Sequence, residues 1–252
     1  MPVNSTHPDY DAALPAWSRA RDVFAGEDAV KAAGEKYLPR LDAQEDTEYL
    51  AYKNRASFFN ATARTAEGLV GLIFRREPSL KLPDIALGVG QKLAEFSDDV
   101  DLLGTSLTAY AKKVVGEIIT VGRAGTLVDW ADESEQRAGV VMYAAEQIIN
   151  WRMERLNGRL VLAVVVLKEV PAAVVTSQTS PDADSFVATE TEQLRVLRLV
   201  SGQAGNWFYQ VEIWRRVQTD GNLIKPVASL TRHEPQDAQL FRFRGDEGIS
   251  VR

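Results

Sequence analysis

The sequence predicts an α+β fold: N-terminal helices, one of them long, followed by a mainly antiparallel sheet. Two observations carry this. Up to about residue 120 the apolar residues recur in steps of three and four, which places them on one side of a helix. Beyond Gly122 and Gly125 in "VGRAGTLVDW" the period drops to two, and runs of strand-forming residues alternate with turn-forming ones.

Residues 1–46 read as two short helices around breakers, with Trp17, Ala20 and Phe24 sharing a face and "KAAGEKYLPRL" leading into Pro39. The stretch "TEYLAYKNRASFFNATARTAEGLVGLIFRREP", Thr47 to Pro78, carries Tyr49, Tyr52, Ala56, Phe59, Ala63, Ala66, Val70 and Ile73 at helical spacing. One helix over about 47–76 is expected, capped by Asp46 or Thr47 and stopped by Pro78. Arg75 and Arg76 suit the negative end of its dipole. The stripe predicts that Phe59, Val70 and Ile73 are buried, and leaves Lys53, Arg55 and Arg64 for neighbours or solvent. Gly68 and Gly71 lie within it and suggest either close approach of another backbone or a helix break before Leu72.

Two further helical patterns follow, Val89/Leu93/Phe96 and Leu103/Leu107/Tyr110/Val114, with Ser97 or Asp98 as a cap between them. "RLVLAVVVLKEV" is apolar almost throughout, as a strand covered on both faces requires. Leu194 to Val200, Asn206 to Val217 and Leu223 to Leu230 read as an antiparallel meander, with "SGQAG" and "TDGN" at the turns. The polar run 176–192 reads as an exposed loop and 236–252 as a tail. The expected organisation is a helical region over 1–125 and a sheet region over 126–235.

At 252 residues and 45% hydrophobic, the chain can bury an ordinary core. It has no cysteine, which excludes disulfides and thiolate metal sites. The N-terminus lacks the basic start and apolar block of a signal peptide, and the longest apolar run, Leu160 to Leu167, is too short to span a bilayer, so a soluble, unexported chain is expected. A net charge of −6 has the wrong sign for wrapping nucleic acid.

Candidate chemistry is sparse. The two histidines, His7 and His233, are far apart in sequence and read as surface residues. The acidic clusters Asp98/Asp99/Asp101 and Asp129/Asp132/Glu133/Glu135 have the composition to hold a divalent ion or to supply paired carboxylates, but neither adjoins a glycine-rich phosphate cradle, and they read as a cap and a loop. Ser57, Ser106 and Ser177 lie in no G-x-S-x-G elbow. Basic pairs occur at Arg75/Arg76, Lys112/Lys113 and Arg215/Arg216, the last beside Trp214; on a strand Arg215 and Arg216 point to opposite faces, which favours solvated charge. No catalytic, cofactor-binding or metal-binding residue is assigned.

The blocks "MPVNSTHPDYDAALPAW", "GEDAVKAAGEKYLPRL", "NRASFFNATARTAEGLVGLIFRREP", "VGRAGTLVDW" and "IINW" resemble, in the same order, an uncharacterised family of tailed-phage structural proteins regarded as portal proteins. The resemblance covers roughly residues 1–235. It implies a wing-like fold and a virion protein, assembled in the host cytoplasm into a ring of usually twelve subunits at one capsid vertex. Double-stranded DNA would pass through that ring without tight specific binding, and no catalysis, cofactor or membrane is involved. The implied partners are other portal subunits, the terminase, and neck, adaptor and capsid proteins. The stem and clip of such proteins do not follow the meander before Arg252, so this chain alone is expected to be mainly monomeric at micromolar concentration and not to recruit the terminase. The competing readings are a divalent-metal-dependent DNA-processing or hydrolytic enzyme built on the acidic clusters, and a head–tail adaptor domain.

Overall fold

The computed structural model describes residues 2–79, 89–130, 138–170, 192–202, 207–216 and 224–230. The fold is α+β, with helices preceding antiparallel sheets. The chain divides into two compact units, one formed by residues 13–145 and the other by 1–12 together with 146–252. The two-stranded hairpin that opens the β region therefore groups with the helices, and the first dozen residues group with the larger sheet.

Helix α1, Pro8–Ala25, opens on Pro8 and runs straight through Pro15. Two helices around breakers were expected here; the first is instead 18 residues long. Its second half is anchored by tertiary contacts, with Trp17 buried and Arg21 donating to both Glu117 oxygens from its two terminal guanidinium nitrogens. Helix α2, Glu27–Ala32, follows Gly26, whose φ of 102° is open mainly to glycine.

The long helix expected over 47–76 is two helices, α3 (Asp46–Arg55) and α4 (Ala61–Ile73). The cap of α3 is Glu45, one residue before the first of the expected positions, Asp46 or Thr47, with the backbone N–H of Glu45 donating to the Glu48 carboxylate at 3.3 Å. The break at 56–60 comes from Asn60. Its Oδ1 accepts from the Ala63 N–H at 2.9 Å, and its Nδ2 donates to the Phe24 carbonyl at 2.9 Å. Those two bonds fix a fresh helix start where periodicity alone predicted continuity.

The burial expected for this stripe is met only in part. Ala66 is buried and Val70 half-buried, whereas Phe59 is 71% exposed and Ile73 56% exposed. Phe59 lies in the break, where no helix face directs it inward, and Ile73 lies on the outer side of α4. Gly68 and Gly71 do not break α4, and apart from the helix's own backbone nothing among the described residues stands within 4 Å of where a Cβ would be.

Helix α5, Val89–Asp98, is followed by a loop and by α6, Leu107–Val121. The cap of α6 is Ser106, whose Oγ accepts from the Ala109 N–H at 3.3 Å, rather than Ser97 or Asp98, which fall in the last turn of α5. Leu103, expected to begin the α6 pattern, lies in the loop and is exposed. Past Gly122 the chain enters β1 (Ala124–Trp130), paired antiparallel with β2 (Ala138–Ala144). Val100, fully buried, joins Tyr110 and Val140 at the core of this unit, with Phe96, Leu107, Val114, Val128 and Met142 around them. The Tyr110 hydroxyl finds a partner in Thr126 at 2.9 Å.

The second unit is a five-stranded antiparallel sheet in the order β3 (Ile148–Leu156), β4 (Arg159–Glu169), β5 (Gln193–Ser201), β6 (Trp207–Arg216) and β7 (Ile224–Leu230). The last three are the expected meander. β3 and β4 join through Asn157 and Gly158, both at positive φ, the geometry of a two-residue hairpin that twists with its strands. Val165, Val166 and Leu167 are consecutive on β4 and all buried, which requires cover on both faces of the sheet. The loop expected over 176–192 lies outside the described residues except for Glu192, and so does the whole 236–252 tail.

Trp151 and Phe59 give contrasting stability tests. Trp151→Ala removes a buried side chain that also stacks on His7, and is expected to cost about 3–5 kcal/mol, seen as a marked drop in melting temperature. Phe59→Ala is expected to stay within about 0.5 kcal/mol of wild type.

Candidate functional site

The histidines serve structure where they are described. The His7 ring stacks on Trp151 at 4.1 Å and 14°, and its Nδ1 accepts from the Asp9 N–H at 3.1 Å, capping α1. His233 lies outside the described residues.

The first acidic cluster organises a loop. One oxygen of Asp101 accepts from the amides of Leu103 (3.0 Å) and Thr105 (3.1 Å), and Asp99 accepts from Gly104 at 2.9 Å. These bonds hold the turn that carries Val100 into the core, where its carbonyl accepts from the Val140 N–H at 2.7 Å. The Thr105 hydroxyl first, then the Leu103 and Thr105 amides, hold the Asp101 carboxyl below the usual carboxylate range. Of the second cluster, Asp129 stands on β1 opposite Gly139, and Asp132, Glu133 and Glu135 lie outside the described residues. Among the described residues no group of three or more potential metal ligands converges.

Ser106 is used as a helix cap. Ser57 lines a cleft of about 210 Å³ with Val23, Val30, Lys31, Tyr37, Leu38, Ala56 and Phe58. That space is smaller than typical small-molecule sites of roughly 300–1,000 Å³. Ser177 lies outside the described residues.

The basic pairs separate in role. Arg215 belongs to a ladder crossing three strands that sequence spacing does not disclose. Gln193, buried on β5, donates from Nε2 to Glu169 at 2.7 Å and accepts from Arg215 Nε at 3.0 Å, while Arg195 donates to the other Glu169 oxygen at 2.7 Å. Trp214, on the other face of β6, donates to Glu212 at 3.0 Å. The side chain of Arg216 lies outside the described residues. Lys112 sits over the Phe74 ring at 5.7 Å, and Arg64 over Phe59 at 4.9 Å. Lys113, Arg75 and Arg76 are exposed.

The most unusual surface is α4 itself. From Gly68 to Phe74 no polar side chain interrupts the chain, so the last two turns are apolar on every side. A helix of that kind is ordinarily enclosed. Here Leu69 is 45% exposed and Leu72 68% exposed, beside the exposed Ile73, while Ala66 alone on the helix is buried. Arg75 and Arg76 follow directly, and neither has an ion-pair partner among the described residues.

Comparison with models of known protein families and with curated proteins returns no match. No helix among the described residues is long and apolar enough to cross a membrane.

The Asp101 contacts make a pH test. Because its folded pKa is depressed, the stability it adds is present above the unfolded value of about 3.9 and is lost as pH falls through the lower folded value. Asp101→Asn is expected to lower stability at neutral pH and to flatten the acid limb between about pH 5 and about pH 2, read as melting temperature against pH.

Proposed function

We propose that this chain is a portal-like structural subunit of a tailed-phage virion, a member of a ring at the capsid vertex, with no catalytic role. What supports the reading is the ordered set of sequence blocks, which fall on α1, on α2, on the end of α3 and on α4, on β1 and on β3. The observation that carries it furthest is α4, whose outer apolar side suits a subunit that lies against neighbours. Net acidity suits a conduit in which double-stranded DNA must slide, since a strongly basic lining would hold its phosphates. Its partners in this reading are other portal subunits, the terminase, and neck, adaptor and capsid proteins.

Two measurements test it. Antibodies against this chain, applied to particles of the phage that encodes it and imaged in negative stain, are expected to mark a single vertex; label along the tail, label over the whole shell, or no label overturns the reading. Nuclease and glycosidase assays with Mg²⁺ or Mn²⁺ are expected to stay at background. Activity that disappears on Asp99→Asn or Asp129→Asn would replace the structural role with a metal-dependent enzyme.

A further inference from the structure

We infer that the exposed side of α4 docks on the acidic segment 41–50 of a second copy of this chain, in a head-to-tail pairing. The inference rests on surface chemistry and does not need the portal reading.

The donor surface has Leu69, Leu72 and Ile73 at its centre and, at its edge, the exposed cations Arg75 and Arg76, which have no ion-pair partner among the described residues. Apolar surface of this kind, rimmed by charge, marks an interaction site. Its occupant should present apolar side chains inside a carboxylate rim.

Such a surface exists elsewhere on the same unit. In "LDAQEDTEYL", residues 41–50, Leu41 is 72% exposed and Leu50 is 53% exposed. The same segment carries Asp42, Glu45, Asp46 and Glu48, all exposed, opposed by the guanidinium of Arg40, 2.6 Å from Asp46. Four carboxylates against one cation leave the segment acidic. Asp46 and Leu50 are four apart on α3 and share a face, so charge and apolar surface are adjacent.

The two surfaces are complementary in both respects, and they are different parts of the chain. A symmetric pairing of two α4 faces would join apolar surface but leave all four arginines without carboxylates. A heterologous pairing satisfies both rims, and the joined pair still offers one free surface of each kind, the α4 side on one copy and the acidic segment on the other. The apolar centre supplies attraction, and the charges select the partner surface.

The test uses two variants of the full chain. Leu72→Gln with Arg76→Glu disables the α4 surface, and Leu41→Gln with Asp42→Lys disables the acidic one; all four side chains are exposed, so thermal melts should match wild type. In sedimentation velocity from about 5 to about 500 µM, wild type is expected to be mainly monomeric at the lowest, micromolar concentration and to gain mass as concentration rises, and each variant alone to associate at least about tenfold more weakly. An equimolar mixture of the two variants is expected to form a one-to-one pair and to stop there, because each supplies the surface the other lacks. The charge reversals alone, Arg76→Glu and Asp42→Lys, give the same result more weakly and disturb no apolar residue. A wild-type chain that stays monomeric throughout overturns the proposal. So does a mixture that fails to pair, or a variant that associates as wild type does. Single-vertex labelling and this pairing are separate readouts, so either can fail while the other holds.

Discussion

The side chain of Asn60 holds two separate parts of the helical unit with one amide group. Its oxygen takes the free N–H of Ala63 and starts α4, and its nitrogen is tied to the Phe24 carbonyl near the end of α1. Gly26 must stay small for this, since a Cβ there would stand 3.2 Å from the Asn60 nitrogen, and its φ of 102° already excludes most residues. With the start of α4 fixed, its rotation is fixed too. Ala63, Ala66, Val70 and Phe74 take the inner side, and α4 packs against α6. Leu69, Leu72 and Ile73 are then turned outward by geometry, because a 3.6-residue period cannot place every residue of an all-apolar segment on one side.

The sheet meets a different constraint. Between two covered faces, a polar side chain is tolerated only where all its hydrogen-bonding capacity is used. Gln193 meets this condition because register sets Glu169 and Arg215 directly on either side of it, one to receive its N–H and one to donate to its oxygen. Slipping β5 by one residue would turn Gln193 to the other face and strand both charges. The ladder therefore specifies alignment at the same end of the sheet where Val165, Val166 and Leu167 supply the apolar burial.

Different features of this fold were legible in the sequence to different degrees, for physical reasons. The meander and the helix-to-strand change at Gly122 were readable because period and turn residues are local properties. The break between α3 and α4 was not, because Ala56, Phe59 and Ala63 keep helical step across it. Periodicity reports faces and cannot register that an asparagine within the pattern will bond to Phe24, 36 residues earlier. The cap signal was nevertheless present in Asn60, as was the hairpin signal in Asn157–Gly158. The Glu169–Gln193–Arg215 ladder was beyond reach, since Glu169 meets Gln193 only through the pairing of β4 with β5, two strands separated by a long connection, although the β5–β6 half lies within the expected meander. Ile73 was misread for a related reason: an apolar stripe looks the same in sequence whether its cover comes from the same chain or from another.

The distribution of charge extends this point to assembly. A net charge of −6 spread evenly would make every pair of copies repel at every orientation. Here the acid-rich segment 41–50, which leads into α3, and the arginines just past the end of α4 lie on different parts of the chain, so repulsion is relieved when one copy presents its cationic edge to the acidic rim of the next. At physiological salt such discrimination operates over only about 8 Å, which makes it a contact-range selector rather than a long-range attractor. Apolar surface alone would associate in many registers; the bracketing charges reduce these to few. A heterologous contact of that kind repeats from copy to copy, and whether it closes depends only on the rotation it imposes between neighbours. A ring and an open chain would thus use the same residues, and the angle set by α4 against segment 41–50 is the quantity that separates them.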